Sequence, residues 1–149
     1  MAAKDFQLVL VSNGPGELYT WVRPVIEEAR RAARSARVSI CLVPSQFAGG
    51  NEASIAATFG PDALTTPAQY LRSTARGGVP DELRATNPAL PGAVVGLGGG
   101  VAYAAGLGKR LGYPTFRYSF EPNWHPGLEA LLVPDDTVRQ RAVRRGAPA

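Results

Sequence analysis

Residues 6–11, Phe-Gln-Leu-Val-Leu-Val, form an almost uninterrupted apolar run, and Ser12-Asn13-Gly14-Pro15-Gly16-Glu17 follows it without a spacer. A run with so little polar alternation suits a strand covered on both faces, as in the interior of a parallel sheet. Beyond the loop, Leu18, Trp21, Val22, Val25, Ile26 and Ala29 recur at helical spacing, so buried strand passes through a glycine turn into an amphipathic helix. Proline is accommodated only in the first turn of a helix, and Pro24 therefore predicts the regular helix over residues 23–34.

The same unit recurs along the chain. Residues 38–43 read as a second buried strand ending at Pro44, and residues 51–59 as a short helix closed by Gly60. Pro61, Pro67, Pro80, Pro88 and Pro91 interrupt residues 61–92 and leave room for one short helix over 68–75. Regularity returns with a strand over 93–97, a helix over 101–111 rich in small residues, a strand over 115–120 and a short strand over 130–133. Asp135 or Asp136 can cap a last helix that runs to Arg145 before Gly146. Alternating strands and helices predict an α/β, Rossmann-like three-layer domain with a parallel sheet. A chain of 149 residues is the size of one such domain.

Composition narrows the functional classes. With 45% hydrophobic and 19% charged residues the chain belongs with globular proteins. No apolar run approaches the roughly 20 residues that cross a bilayer, and the first residues lack the apolar core of a secretory signal, so a cytoplasmic location is expected. The net charge of +4 is carried largely by arginines in helical segments. Such faces are mainly solvated, with attraction to phosphate-bearing ligands or peripheral contact with an anionic membrane as a secondary role. No nucleic-acid-binding motif occurs, and no nucleic acid partner is expected. Cys41 lies in an apolar run and reads as a buried thiol. No residues stand at metal-ligating spacing, so no metal is expected.

Chemistry therefore falls to the loops that follow the strands, because ligands of open parallel sheets bind outside the carboxyl ends of the strands, near helix N-termini. In the first loop, Gly14 and Gly16 open the backbone to a ligand, Ser12 and Asn13 can bond sugar hydroxyls, and Glu17 can act as a general base. The same glycines would also serve a tight turn, and Glu17 would also complement the helix dipole. The second loop, Gly98-Gly99-Gly100, departs from the dinucleotide fingerprint because Val101 stands where a glycine or alanine is required. It can equally floor a cleft or allow close helix packing. The third loop gathers Glu121, Asn123, Trp124 and the single histidine, His125, within residues 121–127. His125 can move a proton near neutral pH, Trp124 can pack on a sugar ring, and Glu121 can bind hydroxyls.

These motifs carry a resemblance. The segment Leu8-Val9-Leu10-Val11-Ser12-Asn13-Gly14-Pro15-Gly16-Glu17-Leu18 resembles the opening of lipid-A-disaccharide synthases, in which a strand leads into a Gly-Glu-x-Ser-Gly-Asp loop; Gly16 matches the later glycine and Glu17 the aspartate. Val94-Val95-Gly96-Leu97-Gly98-Gly99-Gly100, Leu111-Gly112-Tyr113-Pro114 and the 121–127 loop resemble the corresponding run of the lipid II synthase of peptidoglycan assembly. Both are GT-B glycosyltransferases with two Rossmann-like domains, the first holding the acceptor and the second the nucleotide-sugar donor.

The resemblance implies the acceptor-side half of a hexosyltransferase of the cell envelope, inactive by itself without the C-terminal donor domain. A nucleotide-sugar of the UDP-sugar type would be the co-substrate, no further cofactor is implied, and a sugar or lipid-linked sugar would be the acceptor. Glu17 or His125 would be the base; Ser12, Asn13, Gly14, Gly16, Gly98, Gly99, Gly100, Glu121, Asn123 and Trp124 would line the acceptor cleft. Where lipid-A-disaccharide synthases carry an Asp-x-Pro-Asp stretch, this chain has Gly98-Gly99-Gly100-Val101, so no catalytic carboxylate comes from that position. Two other readings compete: a stand-alone, non-catalytic nucleotide- or phosphate-binding module, and an NAD-dependent oxidoreductase domain, which the broken fingerprint disfavours.

Overall fold

The computed structural model describes residues 5–84 and 90–149. Among them, six strands form one sheet: β1 (Phe6–Ser12), β2 (Ala36–Leu42), β3 (Ala63–Thr65), β4 (Gly92–Gly96), β5 (Thr115–Tyr118) and β6 (Ala130–Leu132). Their spatial order is β3-β2-β1-β4-β5-β6, and every neighbouring pair is parallel. The fold is a Rossmann-like α/β three-layer arrangement, with β1 at the centre and the chain reversing its direction of travel between β1 and β4.

The apolar runs follow from this geometry. Alternate residues of a strand point to opposite faces, and both faces here are covered. After α1 (Pro15–Glu17) comes a π-helical turn, and Leu10, Val38, Ile40 and Leu42 enter one core with Leu18 and Val22 from that turn, Ile26 from α2 (Arg23–Ala32) and Ala56 from α3 (Glu52–Thr58). Val9, Val11, Cys41 and Val94 enter the other with Tyr70, Leu83, Ala104 and Leu107 from α4 (Pro67–Ala75), α5 (Asp81–Arg84) and α6 (Val101–Leu111). Val9, Leu10 and Val11 have no exposure at all, and each such side chain contributes about 1.5–3 kcal/mol of burial. The last helix, α7 (Asp136–Arg144), is capped by Asp135, whose Oδ1 accepts from the Val138 amide at 2.9 Å.

Three expectations are corrected. The helix after β1 starts at Pro15, eight residues before the expected Arg23, because Leu18–Val22 forms a π-helical turn joining α1 to α2. The Arg23 amide donates to the Leu18 carbonyl five residues back, and this widened turn takes up Pro24, which has no N–H to offer an ordinary helical turn. The interrupted stretch 61–92 holds β3 and α5 as well as the expected helix; its residues 85–89 lie outside the described residues. Pro67 opens α4 instead of breaking it, since Thr66 and Gln69 form a reciprocal capping box ahead of it. The strand expected over 115–120 ends at Tyr118, which leaves Phe120 outside the sheet.

Gly108 marks the tightest helix-to-sheet contact. A Cβ there would overlap Thr115 Oγ1 and stand 3.1 Å from the Tyr113 carbonyl, whereas one at Gly106 would meet only the tip of Arg110 at 3.3 Å. Gly108→Ala is therefore expected to destabilise by about 1–3 kcal/mol through overpacking, while Gly106→Ala is neutral or gains up to about 1 kcal/mol from helix propensity. Urea unfolding of the two variants checks this; equal midpoints would contradict it.

Candidate functional site at the carboxyl ends of β1 and β4

The switch point between β1 and β4 is closed from two sides. The amides of Leu97 and Gly98, just past β4, both donate to the Val11 carbonyl, at 2.8 and 3.2 Å, and the Val43 amide donates to Ser12 O at 2.9 Å. A Cβ on Gly98 would stand 3.0 Å from Ser12 Oγ, 3.2 Å from Glu17 Cγ and 3.3 Å from Asn13 Oδ1. Gly99 has φ +81°, and a Cβ there would lie 2.7 Å from Val43 Cγ2. A side chain at 98 would crowd Ser12, Asn13 and Glu17 of the first loop, and one at 99 would strain the backbone and clash with Val43 just past β2.

The other glycines divide. Gly14 caps the helix in an extended conformation, and the Glu17 carboxylate folds back to the place its Cβ would take. Gly14 is thus what lets a carboxylate sit over the first turn. Gly16 has open space on every side and no positive φ, so neither packing nor backbone geometry demands glycine there. Gly100 caps α6 without any side-chain cap.

Polar groups converge on this junction. Ser12 is fully buried, and its Oγ has no hydrogen-bond partner among the described residues, a state that costs free energy when nothing offsets it. Asn13 and Glu17 are half-buried beside it. Arg117, opposite Gly96 in the β4–β5 register, reaches across to donate from Nη1 to the Gly99 carbonyl at 2.8 Å. Burial lowers the pKa of this guanidinium, and the nearby Glu121 carboxylate acts in the opposite sense; an arginine keeps its charge through such a shift.

The third loop is a crossover without a helix, and it divides the residues expected to work together. Glu121 stays near the carboxyl end, where its amide donates to Ser119 Oγ at 3.0 Å and its Oε2 accepts from Asn123 Nδ2 at 2.7 Å. Asn123 Oδ1 faces the end of α7, accepting from Arg145 at 3.4 Å. Trp124 borders a cavity of about 270 Å³ with Leu131, Arg139, Ala142 and Val143. His125 accepts on Nδ1 from the Gly127 amide at 2.9 Å and borders a groove of about 670 Å³ with Lys109, Tyr113, Pro114 and Glu129. The amide of Glu129 donates to Thr115 O at the start of β5, so this groove lies toward the amino end of the sheet. The structure brings Ser12, Asn13, Gly14, Glu17, Gly98 and Gly99 into one junction; it does not bring Trp124 or His125 to it.

Sequence reasoning passed over Arg117, Trp21, Tyr118 and Phe120. Arg117 had a signal, a lone charge inside an apolar strand, whereas Trp21 read simply as part of a helix stripe. Cys41 is fully buried as expected, and burial pushes its thiol up to about 12, which holds it protonated and non-nucleophilic. Among the described residues no three His, Cys, Asp or Glu side chains group to hold a metal ion, and no helix is long and apolar enough to cross a membrane. Compared with family models, curated proteins and solved structures, the chain finds no match.

The Arg117 bond to the Gly99 carbonyl is charge-assisted, of a kind worth about 1.5–3 kcal/mol. Arg117→Met is expected to accelerate hydrogen exchange at the amides of residues 98–100 by roughly tenfold or more, with the amides of β1 unaffected. Unchanged exchange in the glycine loop would show that Arg117 does not hold it.

Proposed function

We propose that this chain is the acceptor-binding domain of a glycosyltransferase of the lipid-A-disaccharide-synthase type, with the acceptor sugar lying across the carboxyl ends of β1 and β4. The observation that carries the reading is the Glu17 side chain, its carboxylate folded over Gly14 and its Cγ packed where a side chain on Gly98 would stand, with Asn13 Oδ1 at the same place and the uncapped start of α6 just beyond. A carboxylate, an amide and open backbone N–H groups around a glycine floor are the groups that bind and activate a sugar hydroxyl. In the transfer, Glu17 would take the proton of the acceptor hydroxyl while the oxygen of that hydroxyl forms a bond to the anomeric carbon of the donor. The bond from that carbon to phosphate would break, and the nucleoside diphosphate would leave with the electron pair. In the two-domain enzymes that the sequence resembles, the donor sits on the second domain. His125, bordering the groove with Lys109 and Tyr113, has no part in this step.

The same junction, with three glycines ahead of an uncapped helix, also suits a phosphate group on its own, and one experiment separates the two readings. Amide chemical shifts of the labelled chain are followed during titration with N-acetylglucosamine 1-phosphate and, separately, with UDP-N-acetylglucosamine and inorganic phosphate. The acceptor reading predicts shifts at residues 13–17 and 98–100 with the sugar phosphate, several-fold stronger than with phosphate, and weaker binding of the UDP-sugar. Shifts of equal strength with inorganic phosphate, or tightest binding of the nucleotide, would favour a phosphate or nucleotide module instead.

A further inference from the structure

Three aromatic rings stand together at the carboxyl edge of the sheet. Trp21 pairs with Tyr118 at 5.6 Å between ring centroids and with Phe120 at 5.8 Å, and Tyr118 pairs with Phe120 at 5.6 Å. These separations are those of favourable edge and tilted aromatic contacts. Trp21 lies four residues after Glu17, in the π-helical turn; Tyr118 is the last residue of β5, next to the Arg117 that holds Gly99; Phe120 lies just beyond. Trp21 and Tyr118 pack on the core beneath, but Phe120 is 54% exposed. The cluster is thus anchored from below and open on top.

We infer that Trp21, Tyr118 and Phe120 form a stacking platform for a pyranose ring of the acceptor, an inference that rests on the glycosyltransferase reading. A pyranose has a rim of hydroxyls and faces made of C–H groups. The rim needs hydrogen-bonding partners, which Asn13 and Glu17 offer at the junction of the two loops; the faces need apolar cover, which an aromatic cluster offers without losing much side-chain freedom. The role expected of Trp124 passes to Trp21, since Trp124 borders the cavity beside α7. Tyr118 and Phe120 come from the segment after Arg117, so one short stretch of chain both holds the glycine loop and supplies the platform.

The chain has two tryptophans, so Trp124→Phe leaves Trp21 as the only indole. In that background, N-acetylglucosamine 1-phosphate is expected to change the Trp21 emission with the same concentration dependence as the amide shifts of residues 98–100. Phe120→Ala should weaken binding roughly three- to tenfold with a modest drop in thermal midpoint, since its ring contacts with Trp21 and Tyr118 go as well, and Phe120→Tyr, which keeps the ring, should restore both. If the sugar phosphate moves the glycine-loop amides but leaves Trp21 emission and the affinity of Phe120→Ala unchanged, the platform is excluded while the glycosyltransferase reading stands. If the sugar phosphate does not bind at all, both fall.

Discussion

The close approach of the β1 and β4 loops is the constraint on which the rest of the site depends. Gly98 and Gly99 let the chain after β4 lie against Ser12, Asn13 and Val43, and the Val11 carbonyl ties it there through two amides. Because β1 and β4 are neighbours at the point where the sheet changes its direction of winding, a side chain at 98 or 99 would crowd the place where a doubly wound sheet binds its ligands. Arg117 secures the far side of the same loop from β5. The glycines therefore do structural service, and the groups they bring together, Ser12, Asn13 and Glu17, are the ones with chemistry to offer.

Much of this was legible in the sequence, for a definite reason. Strands buried on both faces are apolar at successive positions, and β1, β2 and β4 announce themselves that way; α6 begins where three glycines end. What was not legible depends on distant partners. β3 has three residues and takes its identity from pairing with Ser39–Cys41, not from any pattern of its own. The π-helical turn at Leu18–Val22 arises because Pro24 must be accommodated inside a helix that the core requires to start earlier. Pattern alone has no means of weighing burial of Leu18 and Val22 against a missing N–H.

The third loop shows the same limit in the candidate site. Glu121, Asn123, Trp124 and His125 are adjacent in sequence, and density of reactive residues suggested one site. A crossover without a helix must nonetheless travel the height of the sheet, from the end of β5 to the start of β6, and it leaves Glu121 near one end and His125 toward the other. Proximity along the chain was misleading where the backbone is extended. Conversely, Trp21 and Phe120 are 99 positions apart and meet at 5.8 Å, because β5 lies two strands from β1 and the Trp21 ring, from the π-helical turn after β1, reaches Tyr118 at the end of β5.

The central claim is that the ligand of this chain lies between the Asn13–Glu17 loop and the Gly98–Gly100 loop. A crystal of the chain grown with N-acetylglucosamine 1-phosphate tests it most directly. The account predicts ordered sugar density within hydrogen-bonding distance of Glu17 and Asn13 and over the glycine loop. Density instead in the groove bordered by Lys109, His125 and Glu129, with the β1–β4 junction empty, would contradict it.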